Sequence, residues 1–407
     1  MKRSWILSGL AVVFFSTAAG AMKIPLPPEF KDASLTINVQ MQAWDQATES
    51  GGPPQCVGLT CTGPTAWDDR IFVRRARLII SGDFTKQIHF YFSIDAPNTG
   101  RSGTSGTVVG LPGPVILQDL RMVYEPTPGI FISGGFLIEP LSHHIHQSTL
   151  SFKTIEIHDA TLRFQQTGTG NTNTVFREPG VEAHGWFLDK KVGFRIGLYN
   201  GVRGSPDPNF LPLNPDGIPR FAGYLHYNFL ESEERGFLYQ GIYFSDKPIL
   251  SIGFGLNYQP KSVRNTAAHP NPGGVSDYRG TAADLFAEFP FPGNQALNFE
   301  FDFYNYSFGD NHPSTGNGFF SDLGYRFGQW QPVVSYEYFA GTSNEGVAAD
   351  DVRIWTAGLN WWINKTAANL KLEFQHMRRG LLTAPNGTPS PGNQNQKIVT
   401  LAAQLFF

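Results

Sequence analysis

Residues 397–407 read KIVTLAAQLFF, and their hydrophobic side chains recur at every second position. Leu401 and Leu405 fall on one face of an extended chain, whereas Thr400 and Gln404 fall on the other. Successive side chains of a β-strand point to opposite faces, so this pattern predicts a strand with one oily face and one more polar face.

The same alternation recurs along the chain. In residues 295–308, Phe299 and Phe301 share one face, while Glu300 and Asp302 share the other. The segments are mostly about ten residues long, which is the length of a tilted strand that crosses a bilayer. About sixteen such segments are predicted, over residues 34–45, 70–83, 86–95, 115–125, 129–137, 178–188, 191–201, 219–230, 247–259, 278–290, 295–307, 316–327, 329–340, 351–363, 367–378 and 396–407.

The connections between these segments alternate between long and short. Residues 96–114 and 379–395 form long connections rich in Gly, Pro, Asn and Thr, whereas Gly328 alone joins two segments. Long loops on one rim and short turns on the other are typical of outer-membrane barrels. The sequence therefore predicts an all-β fold, a transmembrane antiparallel β-barrel of about 16 strands with long extracellular loops and short periplasmic turns. Residues 231–246 are long where a turn is expected, so an extra hairpin or different strand boundaries remain open there.

The first residues have the three parts of a secretory signal peptide. Lys2 and Arg3 supply the positive start, residues 5–15 are apolar, and Ala19-Gly20-Ala21 is a small-residue cleavage site. We therefore expect residues 1–21 to be removed and residues 22–407 to form a single barrel domain. Loss of Lys2 and Arg3 lowers the formal net charge from −3 to −5, which argues against a nucleic-acid partner.

The two cysteines are candidates for a disulfide, and the histidine cluster is a candidate for a metal site. Cys56 and Cys61 lie in GGPPQCVGLTCTGP, and an exported chain meets an oxidising compartment that favours a disulfide over free thiols. The run from His143 to His146 has imidazoles at three of four positions but no cysteine or clear carboxylate set beside it, so no metal site is predicted. The sequence has no catalytic motif for zinc, serine-nucleophile or phosphate chemistry. We therefore expect that the protein is not an enzyme and has no cofactor.

Alternation also assigns the charged side chains to faces. A charge on the lipid face of a barrel costs about 2–4 kcal/mol at the midplane, so charges are expected inside. The connection 138–177 is a candidate inward-folded constriction loop. The candidate pore-lining residues share a positive charge and come from strands of the first half or from this loop: Arg75, Arg77, Arg121, Lys153, Arg163, Arg195 and Arg220. Acidic residues expected inside come mainly from the second half: Asp284, Glu288, Glu300, Asp302, Glu337 and Glu373. These charges create a field across the pore, or they are ordinary lumen charges paired with one another.

Two stretches resemble a known family. Residues 72–97 (FVRRARLIISGDFTKQIHFYFSIDAP) and 117–142 (LQDLRMVYEPTPGIFISGGFLIEPLS) are similar to successive hairpins of the phosphate-selective porin O and P family. The cluster Arg74-Arg75-Ala76-Arg77-Leu78 and the Gly135-Phe136…Pro140 step carry most of the resemblance. It implies a bacterial outer-membrane porin, a sixteen-stranded homotrimer for small hydrophilic solutes, with anions such as phosphate preferred in some members. Leu137 stands where those members often carry a lysine.

The expected setting follows from the barrel and the leader. The chain is expected in the bacterial outer membrane, in contact with its lipid and lipopolysaccharide, after insertion by the outer-membrane assembly machinery. The terminal Phe407 resembles the carboxy-terminal signal of such proteins. Two alternatives remain: a plugged-barrel surface receptor or adhesin without channel activity, and a secreted, soluble all-β carbohydrate-active or lectin-like protein with the oily faces in its core.

Overall fold

A computed structural model describes most of the chain after the predicted leader. The described residues are 22–27, 32–50, 55–57, 60–62, 66–100, 115–163, 176–202, 213–233, 237–265, 271, 273–309, 315–341, 351–379 and 395–407. Residues 1–21, predicted as a signal peptide, lie outside these ranges.

Within the described ranges, sixteen antiparallel strands form a closed barrel, as the alternation predicts. They are β1 Ser34–Ser50, β2 Ala66–Asp83, β3 Ile88–Asp95, β4 Ile116–Thr127, β5 Ile130–Ile138, β6 Arg177–Phe187, β7 Val192–Tyr199, β8 Arg220–Asn228, β9 Ile249–Arg264, β10 Val275–Phe291, β11 Gln295–Ser307, β12 Gly316–Phe327, β13 Trp330–Gly341, β14 Val352–Thr366, β15 Ala368–Arg379 and β16 Asn395–Phe406. Two smaller features accompany them: a strand Met22–Lys23 beside β1, and a ladder of Gln55–Val57 with Thr60–Thr62.

The sheet closes on itself because the last strand pairs with the first. Strand β16 runs antiparallel to β1 from Ile398 opposite Thr48 to Phe406 opposite Gln40. The amide of Phe407 then donates to the carbonyl of Val39 at 3.1 Å. A closed sheet leaves no unpaired edge, which is the only way in which strands can satisfy their backbone groups in hydrocarbon.

The two rims differ as the connection lengths predict. At the turn rim, residues 128–129, 292–294 and 328–329 join strands directly. Gly328 there has φ +59°, a left-handed conformation that a two-residue turn requires and glycine adopts without strain. The opposite, long-loop rim carries the connection 139–176, which holds a short helix, α1 Asp159–Leu162. Among the described residues, no helix is long and apolar enough to cross a membrane.

The outer face of the barrel is hydrophobic. Phe254 and Trp355 are each 61% exposed, and Ile196 is 51% exposed. The residues next to them along each strand point inward and are buried. Arg195, the neighbour of Ile196, is 3% exposed. A belt of exposed large apolar side chains is unfavourable in water. Such a belt is typical of a barrel surface that faces hydrocarbon.

The described residues within 231–246, which are 231–233 and 237–246, form neither an extra hairpin nor an extension of the strands. The described part, residues 229–233 and 237–248, folds from the turn rim into the barrel, where Tyr239, Ile242 and Tyr243 are buried. We call residues 237–248 the turn insert and residues 139–163 the lumen loop. The amide of Tyr239 donates to the carbonyl of His146 at 3.0 Å, so the two segments meet inside the barrel.

Candidate functional site in the barrel lumen

The lumen loop begins where β5 ends and is anchored at once. Gly135 has φ +141°, and a side chain there would collide with the carbonyl of Leu120, so the approach of β5 to β4 requires glycine. Beyond the strand, Glu139 accepts from Arg220 at 3.0 Å and from Asn257 at 2.8 Å. These charge-assisted bonds hold the start of the loop against β8 and β9.

The middle of the lumen loop is bound to the acidic wall, which is the side of the barrel that carries Glu300 and Glu373. Lys153 Nζ lies 2.5 Å from Glu300 on β11, and both side chains are at most 1% exposed. The Nε2 of Gln147 donates to the same carboxylate at 2.6 Å. Farther along, the amide of Ile155 donates to Glu373 at 2.8 Å. Lumen loop and acidic wall therefore form one ionic and hydrogen-bonded layer.

Three histidines of the loop occupy different surroundings. His143 lies between Glu233, at 2.6 Å from Nε2, and Glu300; burial disfavours its charge, but these carboxylates outweigh burial and raise its pKa well above the ordinary value. Burial lowers the pKa of His144, although Glu300 is 3.1 Å away. Burial together with the charge of Arg195 lowers the pKa of His146 well below the ordinary value.

His158 also joins the loop to the acidic wall. It lies 3.1 Å from Asp322 and 3.7 Å from Glu337, and these carboxylates overcome burial to raise its pKa well above the ordinary value. The described residues include no group of three or more His, Cys, Asp or Glu side chains arranged to hold a metal ion. The histidines instead contact one or two carboxylates or pack among aromatic rings.

The turn insert completes the filling of this side. The amides of Tyr243 and Ser245 both donate to Glu288 of β10, each at 2.7 Å. The ring of Tyr239 stacks on His143 with a centroid distance of 4.9 Å. Two spaces in the lumen lie on the opposite side, along β2 to β6.

That opposite wall is basic, and a β-bulge increases its charge. Gln42 pairs with Arg75 but Ala43 pairs with Val73, so Arg74 is an extra residue in β2. Arg74 and Arg75 consequently both point inward, although strict alternation places them on opposite faces. Both contact Glu156 of the lumen loop, Arg74 at 2.6 Å. Burial alone would raise the pKa of Glu156, but the charges of Arg75 and Arg74 outweigh it and lower the pKa to about 2.

An elongated space of about 220 Å³, which we call the arginine cavity, lies between this wall and the lumen loop. Arg77 is paired there with Asp95 at 2.8 Å, and Arg177 is paired with Asp119 at 2.7 Å. The charged residues that line the cavity are Arg74, Arg75, Arg77, Arg177, Asp95 and Glu156. Positive groups outnumber negative groups on its wall.

A second space of about 270 Å³, the Arg121 cavity, adjoins the first on the turn-rim side. Ile138 lines both cavities. Gln147 of the lumen loop lines the arginine cavity, and the next residue, Ser148, lines the Arg121 cavity. Phe237 of the turn insert covers the Arg121 guanidinium, whose Cζ lies 3.0 Å from the ring centroid. The lining of the Arg121 cavity is largely apolar, whereas the lining of the arginine cavity is largely charged and polar.

The seven positive residues singled out from the sequence all point inward, but they do not converge on one place. Arg75 and Arg77 line the arginine cavity, and Arg121 lines the cavity named after it. The other four are buried in ion pairs: Lys153 with Glu300, Arg163 with Asp159, Arg195 with Glu182 and Arg220 with Glu139. Their role in lining a conduction path stays a prediction.

Arg74 and Arg177 are cavity residues that alternation did not identify. The bulge that turns Arg74 inward has no signature in a single sequence. Arg177 lies at the very start of β6, where its side chain bends back to Asp119. The predicted disulfide also stays a prediction, because the structure describes only the backbone there, with Cys56 opposite Cys61 in the short ladder.

The barrel is similar to solved outer-membrane proteins. An anion-selective porin from Comamonas acidovorans has a TM-score of 0.57 at 12% identity, covering 92% of this chain and 100% of the porin. Outer-membrane expressed OmpT of Vibrio cholerae has a TM-score of 0.55 at 10% identity, covering 95% and 100%. The outer membrane channel DcaP of Acinetobacter baumannii has a TM-score of 0.53 at 12% identity, covering 93% and 98%.

At these identities the likeness defines the fold, which is that of a sixteen-stranded outer-membrane porin barrel. Neither a protein-family model nor a curated protein sequence matches the chain.

Proposed function

We propose that the chain is a passive outer-membrane channel for small hydrophilic solutes that favours anions, phosphate among them. The observation that carries this proposal is the arginine cavity, where four arginines and two carboxylates face a space between wall and loop. Charges that line a narrow passage select ions by their sign, and low-dielectric walls strengthen that field. Passage requires no bond to be made or broken, so no enzymatic step is proposed.

The solute route runs along β2 to β6. Asp95 and Asn98 place the arginine cavity at the long-loop end of β3, whereas Phe237 and Leu238 place the Arg121 cavity beside the turn insert. Ile138 borders both, so we propose that they are successive parts of one passage. The lumen loop is the constriction, since its far side is fixed to the acidic wall by Lys153.

The membrane contacts, the export and the oligomeric state of the chain belong to the same proposal. The exposed apolar belt contacts outer-membrane lipid and lipopolysaccharide, residues 1–21 are cleaved on export, and three copies associate as a homotrimer. The resemblance of residues 72–97 and 117–142 to the phosphate-selective porin O and P family supports the anion preference. A plugged receptor is the competing function, because the lumen loop and the turn insert together fill one side of the barrel.

Planar-bilayer recording of the purified protein tests the proposal. We expect stepwise conductance increases and, in a potassium chloride gradient, a reversal potential displaced toward that of chloride. Replacing chloride with phosphate should retain the sign of the displacement, because the arginine cavity attracts either anion. Insertion without conductance would favour the plugged receptor, and a potential displaced toward potassium would contradict the anion preference.

A further inference from the structure

Arg121 has an unusual position for a charged group in a lumen. It is 6% exposed, and its Nε and Nη1 have no hydrogen-bond partner among the described residues. The other lumen arginines discussed above each contact a carboxylate. A buried guanidinium without such a partner is costly, and an anion that reaches it recovers that cost.

The surroundings of Arg121 are apolar on several sides. Phe237 lies flat against the guanidinium, and the ring of Tyr91 is 5.6 Å away. Phe136, Leu137 and Leu238 add apolar wall to a cavity of about 270 Å³, which Ser148 and Gln240 also line. The one carboxylate on its lining, Asp119, already accepts from Arg177 at 2.7 Å and from Ser93 at 2.8 Å. The hydrogen bonds of Asp119 are therefore made to groups other than Arg121.

Resting on the proposed channel, we propose that the Arg121 cavity is a binding site for small organic monocarboxylates with an apolar body. The unpartnered Nε and Nη1 of Arg121 can donate to the oxygens of one carboxylate. The aromatic and aliphatic walls match a ring or a short alkyl chain, since burial of apolar surface there is favourable. Phosphate is a poorer match, because most of the lining is apolar and cannot donate to its remaining oxygens.

The site adds a second level of selection to the passage. The arginine cavity attracts anions in general, and the Arg121 cavity retains those that carry an apolar group. Benzoate suits the test, because its flat ring can pack on Phe136 and Phe237 while its carboxylate reaches Arg121. Benzyl alcohol has the same ring without the charge, and it serves as the matched neutral compound.

Equilibrium binding of radiolabelled benzoate to the full-length protein in lipid nanodiscs tests the inference without requiring conduction. We expect saturable millimolar binding that benzyl alcohol and phosphate compete for poorly. Arg121→Gln should weaken benzoate binding about tenfold, the loss expected for a hydrogen bond to a charged group. Arg353→Gln removes an arginine from the outer face of β14 and should leave binding unchanged. Phe136→Ala should weaken benzoate binding while Arg121 is retained.

The outcomes separate the inference from the channel proposal. Ion conductance together with no saturable benzoate binding would overturn the inference alone. Benzoate binding without any conductance would overturn the channel alone. Equal affinity of the wild type and both cavity variants would also overturn the inference, provided that each variant shows wild-type β-sheet circular dichroism.

Discussion

Replacing Arg75 and Arg121 together with glutamate is expected to turn an anion-favouring channel into a cation-favouring one. Each guanidinium lines one of the two cavities along the proposed route. A unit charge 4 Å from a passing ion contributes about 1 kcal/mol even in bulk water, which corresponds to about a fivefold change in permeability per charge. The reversal potential in a potassium chloride gradient should therefore cross zero toward potassium.

The matched control is Arg353→Glu, which makes the same change of charge on the outer face of the barrel. Its reversal potential should equal that of the wild type. The neutral pair Arg75→Gln with Arg121→Gln should give an intermediate potential, and its smaller perturbation protects the test against failure to fold. Wild-type potentials in both lumen variants would show that these arginines lie away from the ion path.

Removal of the Lys153 ammonium should strongly destabilise the protein. Lys153 and Glu300 form a 2.5 Å pair whose side chains are both at most 1% exposed. Breaking a buried pair by deleting one partner costs about 3–5 kcal/mol, because the remaining charge is left uncompensated. We expect Lys153→Met to lower the free energy of unfolding by about that amount, measured by denaturant titration in detergent micelles.

The chain offers an exposed pair as the control for this prediction. Lys247 lies 3.2 Å from Glu231, with side-chain exposures of 65% and 50%. Exposed pairs contribute at most about 1 kcal/mol, so Lys247→Met should have little effect. Adding Glu300→Gln to Lys153→Met should restore part of the loss, because the two substitutions act on one interaction. Equal losses for Lys153→Met and Lys247→Met would mean that the lumen loop is not fixed by this pair.

The barrel was predictable because alternation and connection length are local properties of the sequence. Each predicted segment coincides with a strand to within a few residues at most ends, as the segment 295–307 does with β11. Inward and outward faces follow from parity, which is why Glu300 and Asp302 are buried and Phe303 is exposed. Such signals require no knowledge of which segments meet in space.

The interior was only partly predictable because it depends on contacts between distant segments. The lumen loop could be recognised as long, but its attachment to Glu300 joins residues separated by 147 positions. Arg74 points inward only because β1 and β2 pair with a bulge. The inward fold of residues 237–248 follows from bonds to Glu288 and to the lumen loop, which no local pattern predicts.

We expect the oily face of the barrel to meet hydrocarbon and the wall beside the lumen loop to be wet. Single cysteines test it directly, placed at Phe254 on the outer belt or at Thr149 on the lining of the arginine cavity, with Cys56 and Cys61 replaced by serine. The measurement is the rate of labelling by a negatively charged, membrane-impermeant thiol reagent in reconstituted liposomes. We predict rapid labelling of Thr149→Cys and labelling of Phe254→Cys only after denaturation. Labelling of Phe254→Cys in intact liposomes as fast as that of Thr149→Cys would contradict the account.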